Sequence, residues 1–117
     1  MTYLGEFEQI VLLAVVRLAA DAYGTNIRRE IEARGARTVS IGAAYATLDR
    51  LVDKGYLRSR EVPGGAERGG SARRYFSITK AGIAALEESR ALQARMWEGI
   101  ELDAFATATP RKKGTRS

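Results

Sequence analysis

The 117-residue chain has no cysteine, no histidine, two prolines and one tryptophan. The missing cysteines exclude a disulfide framework and a thiolate metal site, and the missing histidines remove the commonest general base and metal ligand. The other reactive side chains form no close constellation in an apolar setting. No apolar run approaches a membrane span, and the opening MTYLGEFEQI is acidic where a signal peptide is basic. We therefore expect a soluble cytoplasmic protein that is not an enzyme and binds no metal, cofactor or membrane.

The positive charge of the chain is unevenly distributed. The net charge is +5 and the sequence pI is about 9.9, which fits nucleic-acid binding without establishing it. Residues 1–55 are neutral in sum, residues 56–80 carry a net +4, residues 81–106 carry −3, and residues 107–117 carry +4. The length predicts one domain with a modest core.

The stretch from Ser40 to Gly55 is the part around which the rest of the chain is organised. Ser40 is a good helix N-cap, and Gly55 is the residue type that ends a helix in the left-handed conformation. Between them an apolar stripe recurs at three- and four-residue steps, formed by Ile41, Ala44, Leu48, Leu51 and Val52. The opposite face is small at its beginning and then carries one long cation, as expected of a recognition helix in the DNA major groove; its residues are Gly42, Ala43, Ala46 and Arg50.

Two helices are predicted before this stretch. The first runs from about Gly5 to Ala20 and is apolar over most of its circumference, so a second buried face against a partner subunit is expected. The second runs from Thr25 to Arg34, and residues 35–39 form the turn into the recognition helix. Two short helices joined by such a turn are typical of a helix-turn-helix.

The apolar period changes after Gly55. Residues 56–62 alternate between apolar and polar positions in their middle, and residues 73–78 do so less cleanly. The Gly-rich segment 63–72 is predicted to be an exposed loop between these two strands. A β-hairpin that follows a helix-turn-helix is a wing. We therefore predict a mainly α fold with a small β-hairpin wing, a winged helix-turn-helix over residues 1–79.

A long last helix is predicted from about Lys80 to Phe105, with Thr79 as its cap. One apolar side carries Ile83, Leu86 and Trp97, and a second follows Leu92, Met96 and Ile100. We expect the first part to pack on its own domain and the later part on a second copy of the chain. Residues 80–106 are thus predicted to be a C-terminal dimerisation helix, and residues 107–117 a disordered basic tail.

With these segments in view, the chain resembles the PadR family of transcriptional regulators from about residue 4 to residue 90. The matching text is LGEFE at 4–8, AYG at 22–24, SIGAAYATLDRL at 40–51, KGYL at 54–57, RRYF at 73–76 and ITKAG at 78–82. The resemblance implies a homodimeric winged-helix repressor whose last helix, and often its first, builds the dimer. With one helix predicted after the wing, the chain is similar to the short branch of the family. The resemblance also implies that two recognition helices read a two-fold-related operator in double-stranded DNA.

Several side chains are predicted to contact DNA, each with an ordinary alternative. Arg50 is expected to reach a base edge or a phosphate, or else to pair with Asp53 or Glu61. Ser40, Gly42, Ala43 and Ala46 line the same helix, where small size permits close approach. Tyr45 is expected either to donate its hydroxyl to a phosphate, as such positions do in similar proteins, or to wedge against the wing.

The second helix and the wing supply the other predicted contacts. Thr25 and Asn26 begin the second helix, where exposed amides favour a phosphate, although plain capping is the alternative. Cations of the wing are expected to contact phosphate or the minor groove, unless they form a solvated charge run; they are Arg68, Arg73 and Arg74. A winged-helix module that binds protein, and DNA only without sequence preference, is the alternative function.

The predicted dimer contacts are Phe7 and Ile10 of the first helix with Leu92, Met96, Trp97 and Ile100 of the last. In multidrug-sensing relatives, a tryptophan on the last helix stacks with flat aromatic drugs at the dimer interface. By this analogy Trp97 and Met96 are candidate contacts for a small aromatic effector. The alternative is that Trp97 is an aromatic residue of the dimer core.

Overall fold

The computed structural model describes residues 3–35, 37–65, 69 and 71–108. Three helices come first, then a two-stranded hairpin, then two further helices. In chain order the elements are α1 (Glu6–Leu18), a 3-10 turn (Ala19–Asp21), α2 (Gly24–Gly35), α3 (Ile41–Asp53), β1 (Leu57–Val62), β2 (Arg73–Ile78), α4 (Lys80–Trp97) and α5 (Leu102–Ala108). The predicted winged helix-turn-helix is therefore confirmed, with α3 as its second helix and β1–β2 as its wing.

The two ends of α3 form as the sequence predicts. The Ser40 hydroxyl accepts from the Ala43 amide at 3.1 Å, and Gly55 follows the helix with φ +83°. The inward stripe differs from the prediction in one member: Ile41 is 45% exposed because it stands at the first helical position, beyond the edge of the core. The residues of α3 that are fully buried are Ala44, Thr47, Leu48 and Leu51.

The hairpin is antiparallel, with Leu57 opposite Ile78 and Val62 opposite Arg73. The chain just before α2 joins it, because the Phe76 amide donates to the Ala22 carbonyl at 2.8 Å and Tyr23 bridges to Tyr75. Phe76 and Leu57 point into the core, whereas most other side chains of the two strands remain exposed or half buried. The base of the wing is thus anchored to the helices.

One hydrophobic core fills the space between the helices and the base of the hairpin. Its largest fully buried side chains are Val11, Leu12, Val15, Ile27, Leu48 and Leu51. Three of these side chains belong to α1, one to α2, and Leu48 and Leu51 to the middle and end of α3. The recognition helix is therefore packed against α1 and α2 along its length. Among the described residues, none of the helices combines the length and apolar character needed to span a membrane.

The prediction of one continuous helix after the wing is wrong. The helix α4 ends at Trp97, the backbone of Glu98 leaves the helical region, and Gly99 adopts φ +77°, a conformation that favours glycine. A separate seven-residue helix α5 follows. Ile100 therefore lies in the connection and does not extend a stripe with Leu92 and Met96. Residues 107 and 108 belong to α5, so the predicted disordered tail is wrong for these two, and the rest of it lies outside the described residues.

The beginning of α4 is fixed to the end of α3. The Thr79 hydroxyl caps α4 by accepting from the Gly82 amide at 3.0 Å, and it donates to the Gly55 carbonyl at 2.7 Å. The Thr79 amide also donates to the Tyr56 carbonyl. A side chain at Gly82 would collide with that carbonyl and with Ile78. The close approach therefore ties the direction of α4 to the position of the recognition helix.

Candidate nucleic-acid interface

The solvent face of α3 is small and uncharged over its first two turns. Ser40, Gly42, Ala43 and Ala46 are exposed there, together with Ile41. A Cβ atom added at Gly42 would meet nothing within 4 Å, so packing inside the chain does not require a glycine at this helical position. A helical glycine costs about 1 kcal/mol relative to alanine. The fold therefore does not explain a glycine at position 42, and the surface there is open to the close approach of another molecule.

A polar groove of about 340 Å³ lies beside this face, between α3, the start of α2 and the wing. It brings together four of the predicted DNA contacts, Thr25, Tyr45, Arg73 and Arg74. Its wall also includes Tyr23 and Arg29, which the sequence analysis did not identify, and one acidic side chain, Glu61. Arg29 lies one helical turn after Thr25 and therefore on the same side of α2, which is the signal that could have identified it.

Aromatic rings support the cations of this groove. The Arg73 guanidinium lies 4.1 Å from the centre of the Tyr23 ring, within the range of a cation–π contact. The Tyr23 ring in turn meets Tyr75 edge-on at 5.3 Å. Within the described part of the chain, Arg73 forms no ion pair with a carboxylate, so its charge is available at the groove wall. An anion that entered the groove would meet this charge.

Arg74 links the wing to the recognition helix. Its guanidinium donates to Asp49 at 2.6 Å and to Ser59 at 3.4 Å, and it lies over the Phe76 ring. Arg74 thus connects the wing to α3 as well as lining the groove. The third predicted cation of the wing, Arg68, lies outside the described residues.

Tyr45 sets the spacing between α2 and α3. A Cβ atom at Gly24 would overlap the Tyr45 hydroxyl and ring, so the ring packs directly on the glycine at the start of α2. Tyr45 thus packs against α2 and not, as one of its two predicted roles required, against the wing. Its side chain also lines the groove. Asn26 does not line this groove. Its side-chain amide donates to the Asp21 carbonyl at 3.1 Å and so stabilises the turn before α2.

Arg50 has a partner that the sequence analysis did not consider. Its Nε atom donates to Glu8 of α1 at 3.2 Å, and Lys54 donates to the same carboxylate oxygen at 2.8 Å. The other Glu8 oxygen accepts from the Gly5 amide at 2.8 Å. The suggested partners Asp53 and Glu61 are therefore wrong. A residue 42 positions away in the chain could not be found from local spacing.

The surroundings of Glu8 shift its acidity. Burial by itself raises the pKa of the Glu8 carboxyl, but the hydrogen bonds from Lys54, the Gly5 amide and Arg50 outweigh it, so the pKa lies below its ordinary value of 4.5. A carboxyl whose pKa falls on folding stabilises the folded state above its unfolded pKa and loses this contribution as the pH falls through the folded pKa. Glu8 is thus a source of acid sensitivity.

We predict that Glu8→Gln flattens the acid limb of the stability curve. The free energy of unfolding of the wild type should fall below about pH 4.5, and the variant should lose less over the same range because it has no carboxyl to protonate. Urea titrations between pH 3 and pH 7 would measure both curves. Parallel curves for the two proteins would contradict the role assigned to Glu8.

The predicted dimer contacts divide into two groups. Phe7, Ile10 and Leu92 are half buried in the single chain, the first two against its own core. Met96 and Trp97 are 70% and 55% exposed, and Ile100 is exposed as well. Neither Met96 nor Trp97 lines the apolar groove of about 590 Å³ between α1 and α4. Its apolar wall combines Ile83 and Leu86, which the sequence places on one apolar side of the last helix, with Leu13 and Val16 of α1, which the sequence analysis did not single out.

Over the described ranges, no cluster of three or more acidic, His or Cys side chains could hold a metal ion. The geometry offers a helix with a small, neutral face at its start, beside a groove lined by three arginines and one glutamate. This arrangement suits a polyanion with a groove wide enough for a helix.

Solved structures with the same fold extend over most of the chain. A PadR-like transcription factor from Bacteroides fragilis is 24% identical with a TM-score of 0.65, over 79% of this chain and 84% of that one. A PadR family transcriptional regulator from Eggerthella lenta is 25% identical with a TM-score of 0.63, over 80% and 81%. F93 from STIV, described as a winged-helix DNA-binding protein, is 23% identical with a TM-score of 0.64, over 86% and 100%.

The sequence itself gives the family. No curated protein matches the chain, but the profile of the transcriptional regulator PadR-like family matches residues 12–88. This range runs from the middle of α1 through the recognition helix and the wing into α4, and so covers the whole candidate interface. Members of the family are transcriptional regulators and not enzymes. The chain belongs to the PadR-like family of transcriptional regulators.

Proposed function

We propose that this regulator is a homodimeric, sequence-specific DNA-binding repressor. The observation that carries the proposal is the joint surface of α3 and the groove beside it, where a small neutral helix tip adjoins Thr25, Arg29, Tyr45 and Arg73. In this proposal residues 1–79 bind DNA and residues 80–106 join two copies. A dimer bound over a promoter would block transcription by occupying it.

The two parts of the surface have different tasks. The first turns of α3 enter the major groove, where Ser40, Gly42, Ala43 and Ala46 allow the backbone to approach base edges closely. The polar groove receives the phosphates that flank the helix, with Arg73 as the cation and the hydroxyls of Thr25 and Tyr45 as donors. The wing follows the DNA backbone with Arg74 and, beyond the described residues, with Arg68.

The dimer is proposed from two apolar regions at opposite ends of α4. One is the groove beside Ile83 and the other is the exposed end at Met96 and Trp97. The 13 positions from Ile83 to Met96 span about 20 Å of rigid helix, so a single chain cannot bring its two regions together. In a two-fold arrangement with antiparallel helices, the groove of each copy receives the exposed end of α4 of the other copy, so both regions of both copies are covered. Cytoplasmic location and binding to double-stranded DNA follow from the same role.

We predict that Arg73→Ala weakens binding to operator and scrambled DNA by the same factor. Phosphate contacts carry no sequence information, so the slope of log affinity against log salt should decrease by about 1. Titrations of both DNAs at several salt concentrations would measure this slope. Arg58→Ala is the matched control, because Arg58 is an exposed arginine of the same hairpin that does not line the groove. Equal effects of the two substitutions would contradict the groove as a phosphate site.

A small aromatic effector is proposed to bind at Trp97 and Met96 when two copies meet. Large exposed apolar side chains provide a surface for stacking. Since Thr79 joins the start of α4 to the end of α3, a shift of α4 would change the distance between the two recognition helices. Repression would then be relieved without any contact between effector and DNA.

We predict that Trp97→Ala abolishes the response to a planar aromatic compound that does not itself bind DNA, while the effector-free protein still binds its operator. Trp97 is the only tryptophan, so quenching of its fluorescence reports binding directly. Quenching should accompany a loss of operator affinity in the wild type. If a saturating concentration of the ligand does not change operator affinity, Trp97 is a residue of the dimer core and not an effector contact.

A further inference from the structure

The cations of the recognition helix are turned toward a carboxylate of another helix. Arg50 in α3 and Lys54 at its C-terminal cap both donate to the same Glu8 oxygen, at 3.2 and 2.8 Å. The Glu8 side chain is only 9% exposed, whereas that of Arg50 is 53% exposed. Arg50 thus lies at the edge of the DNA-facing helix with its guanidinium held back toward α1.

Fold stability alone gives a weak reason for this arrangement. Arg50 is 53% exposed and Lys54 29% exposed, and ion pairs with solvent-exposed members add little to stability because water screens them. The capping of α1 uses the other Glu8 oxygen, which accepts from the Gly5 amide, and does not need the two cations. The bridge to α3 is an additional feature, and its effect is to hold both cations at one carboxylate, which offsets one of their two positive charges.

We propose that Glu8 is a specificity-determining residue that withholds Arg50 and Lys54 from DNA phosphates. The proposal rests on the proposed DNA-binding function. Free cations on α3 would add attraction to any DNA sequence, because phosphates are the same everywhere. With these cations occupied, α3 meets the bases through its neutral tip, and a wrong sequence gains little from the helix. Glu8 is a positioning residue that acts through Arg50 and Lys54 without touching DNA.

The test compares Glu8→Gln with the wild type on operator and scrambled DNA. The amide keeps an oxygen for the Gly5 cap but loses the charge that holds the cations. We expect affinity for scrambled DNA to rise about tenfold, with a salt slope steeper by about 1 to 2 because up to two more phosphates are neutralised. Operator affinity should rise less, so the ratio of the two affinities should fall at least threefold.

Glu6→Gln is the matched control. Glu6 lies two residues before Glu8 on α1 and is exposed. Its substitution by glutamine changes the net charge of the protein by the same amount as Glu8→Gln. Glu6→Gln should leave the salt slope and the affinity ratio unchanged, because Arg50 and Lys54 pair with Glu8 and, among the described residues, not with Glu6. Adding Arg50→Gln and Lys54→Gln to the Glu8→Gln protein should restore the wild-type ratio, a rescue that a purely structural role of Glu8 does not produce.

A second set of variants keeps the proposal testable if Glu8→Gln does not fold. Arg50→Gln and Lys54→Gln in the wild-type background should change affinity for scrambled DNA by less than about twofold, because both cations are already occupied. A fivefold loss in either variant would overturn the proposal, as would a folded Glu8→Gln protein with unchanged slope and ratio. If the wild type itself prefers no sequence, the proposed function fails instead.

Discussion

Leu13→Glu is expected to give a folded monomer that binds operator DNA about 10² to 10⁴ times more weakly than the wild type. Leu13 is half exposed on α1 and lines the apolar groove next to α4, so a charge there barely disturbs the single chain. It would, however, place a carboxylate in the proposed dimer interface. Two linked DNA-binding domains bind an operator far more tightly than one domain does, and separation of the dimer removes that gain in affinity. Sedimentation and a binding titration would measure the two effects.

The control for this substitution is Ala33→Glu. Ala33 is exposed on α2, away from the groove between α1 and α4, and the new charge is the same. This variant should remain dimeric and should bind the operator with no more than the modest loss that one added negative charge causes. A Leu13→Glu protein that stays dimeric at micromolar concentration would show that copies meet through another surface.

Leu48→Ala is expected to cost about 2–5 kcal/mol of the free energy of unfolding. Leu48 is fully buried in the centre of the core side of α3, and its removal loses apolar burial and leaves a cavity. Since small domains have about 5–15 kcal/mol in total, this is one of the largest effects that a single substitution can have here. Urea denaturation would measure it through the midpoint and slope of the transition.

Ile41→Ala on the same helix is the matched comparison. The sequence pattern places both residues on one stripe, whereas the structure leaves Ile41 45% exposed, so its truncation should cost less than about 1 kcal/mol. Comparable losses at the two positions would mean that Ile41 is buried in the protein in solution. A loss of operator affinity at Ile41→Ala without a loss of stability would extend the reading surface to this residue.

Local signals in the sequence were sufficient to predict the helix-turn-helix and the wing. The cap at Ser40, the left-handed Gly55 and the change from a helical to an alternating period each depend on neighbours in the chain, and each was found where predicted. The break after Trp97 was missed because a long run of helix-forming residues outweighed one glycine at position 99. Ile41 was misplaced because periodicity gives a direction around the helix but does not say where the core ends.

The candidate site was predicted less completely, because its contacts join distant parts of the chain. Thr25, Tyr45 and Arg73 were named from their element positions, and the folded chain brings them to one groove. The pairing of Arg50 with Glu8 spans 42 residues and depends on the packing of α1 against α3. The contact of Tyr45 with Gly24 likewise depends on the angle between two helices. No spacing rule encodes either contact.

The most direct test of the account is a binding titration against the promoter DNA upstream of the protein's own gene, beside a scrambled fragment, at two salt concentrations. A specific dimeric regulator should bind the promoter with dimer stoichiometry and retain that preference at the higher salt, where sequence-independent binding weakens steeply. Equal binding to both fragments, lost together as salt rises, would contradict the account. The winged helix would then be a module that binds another protein.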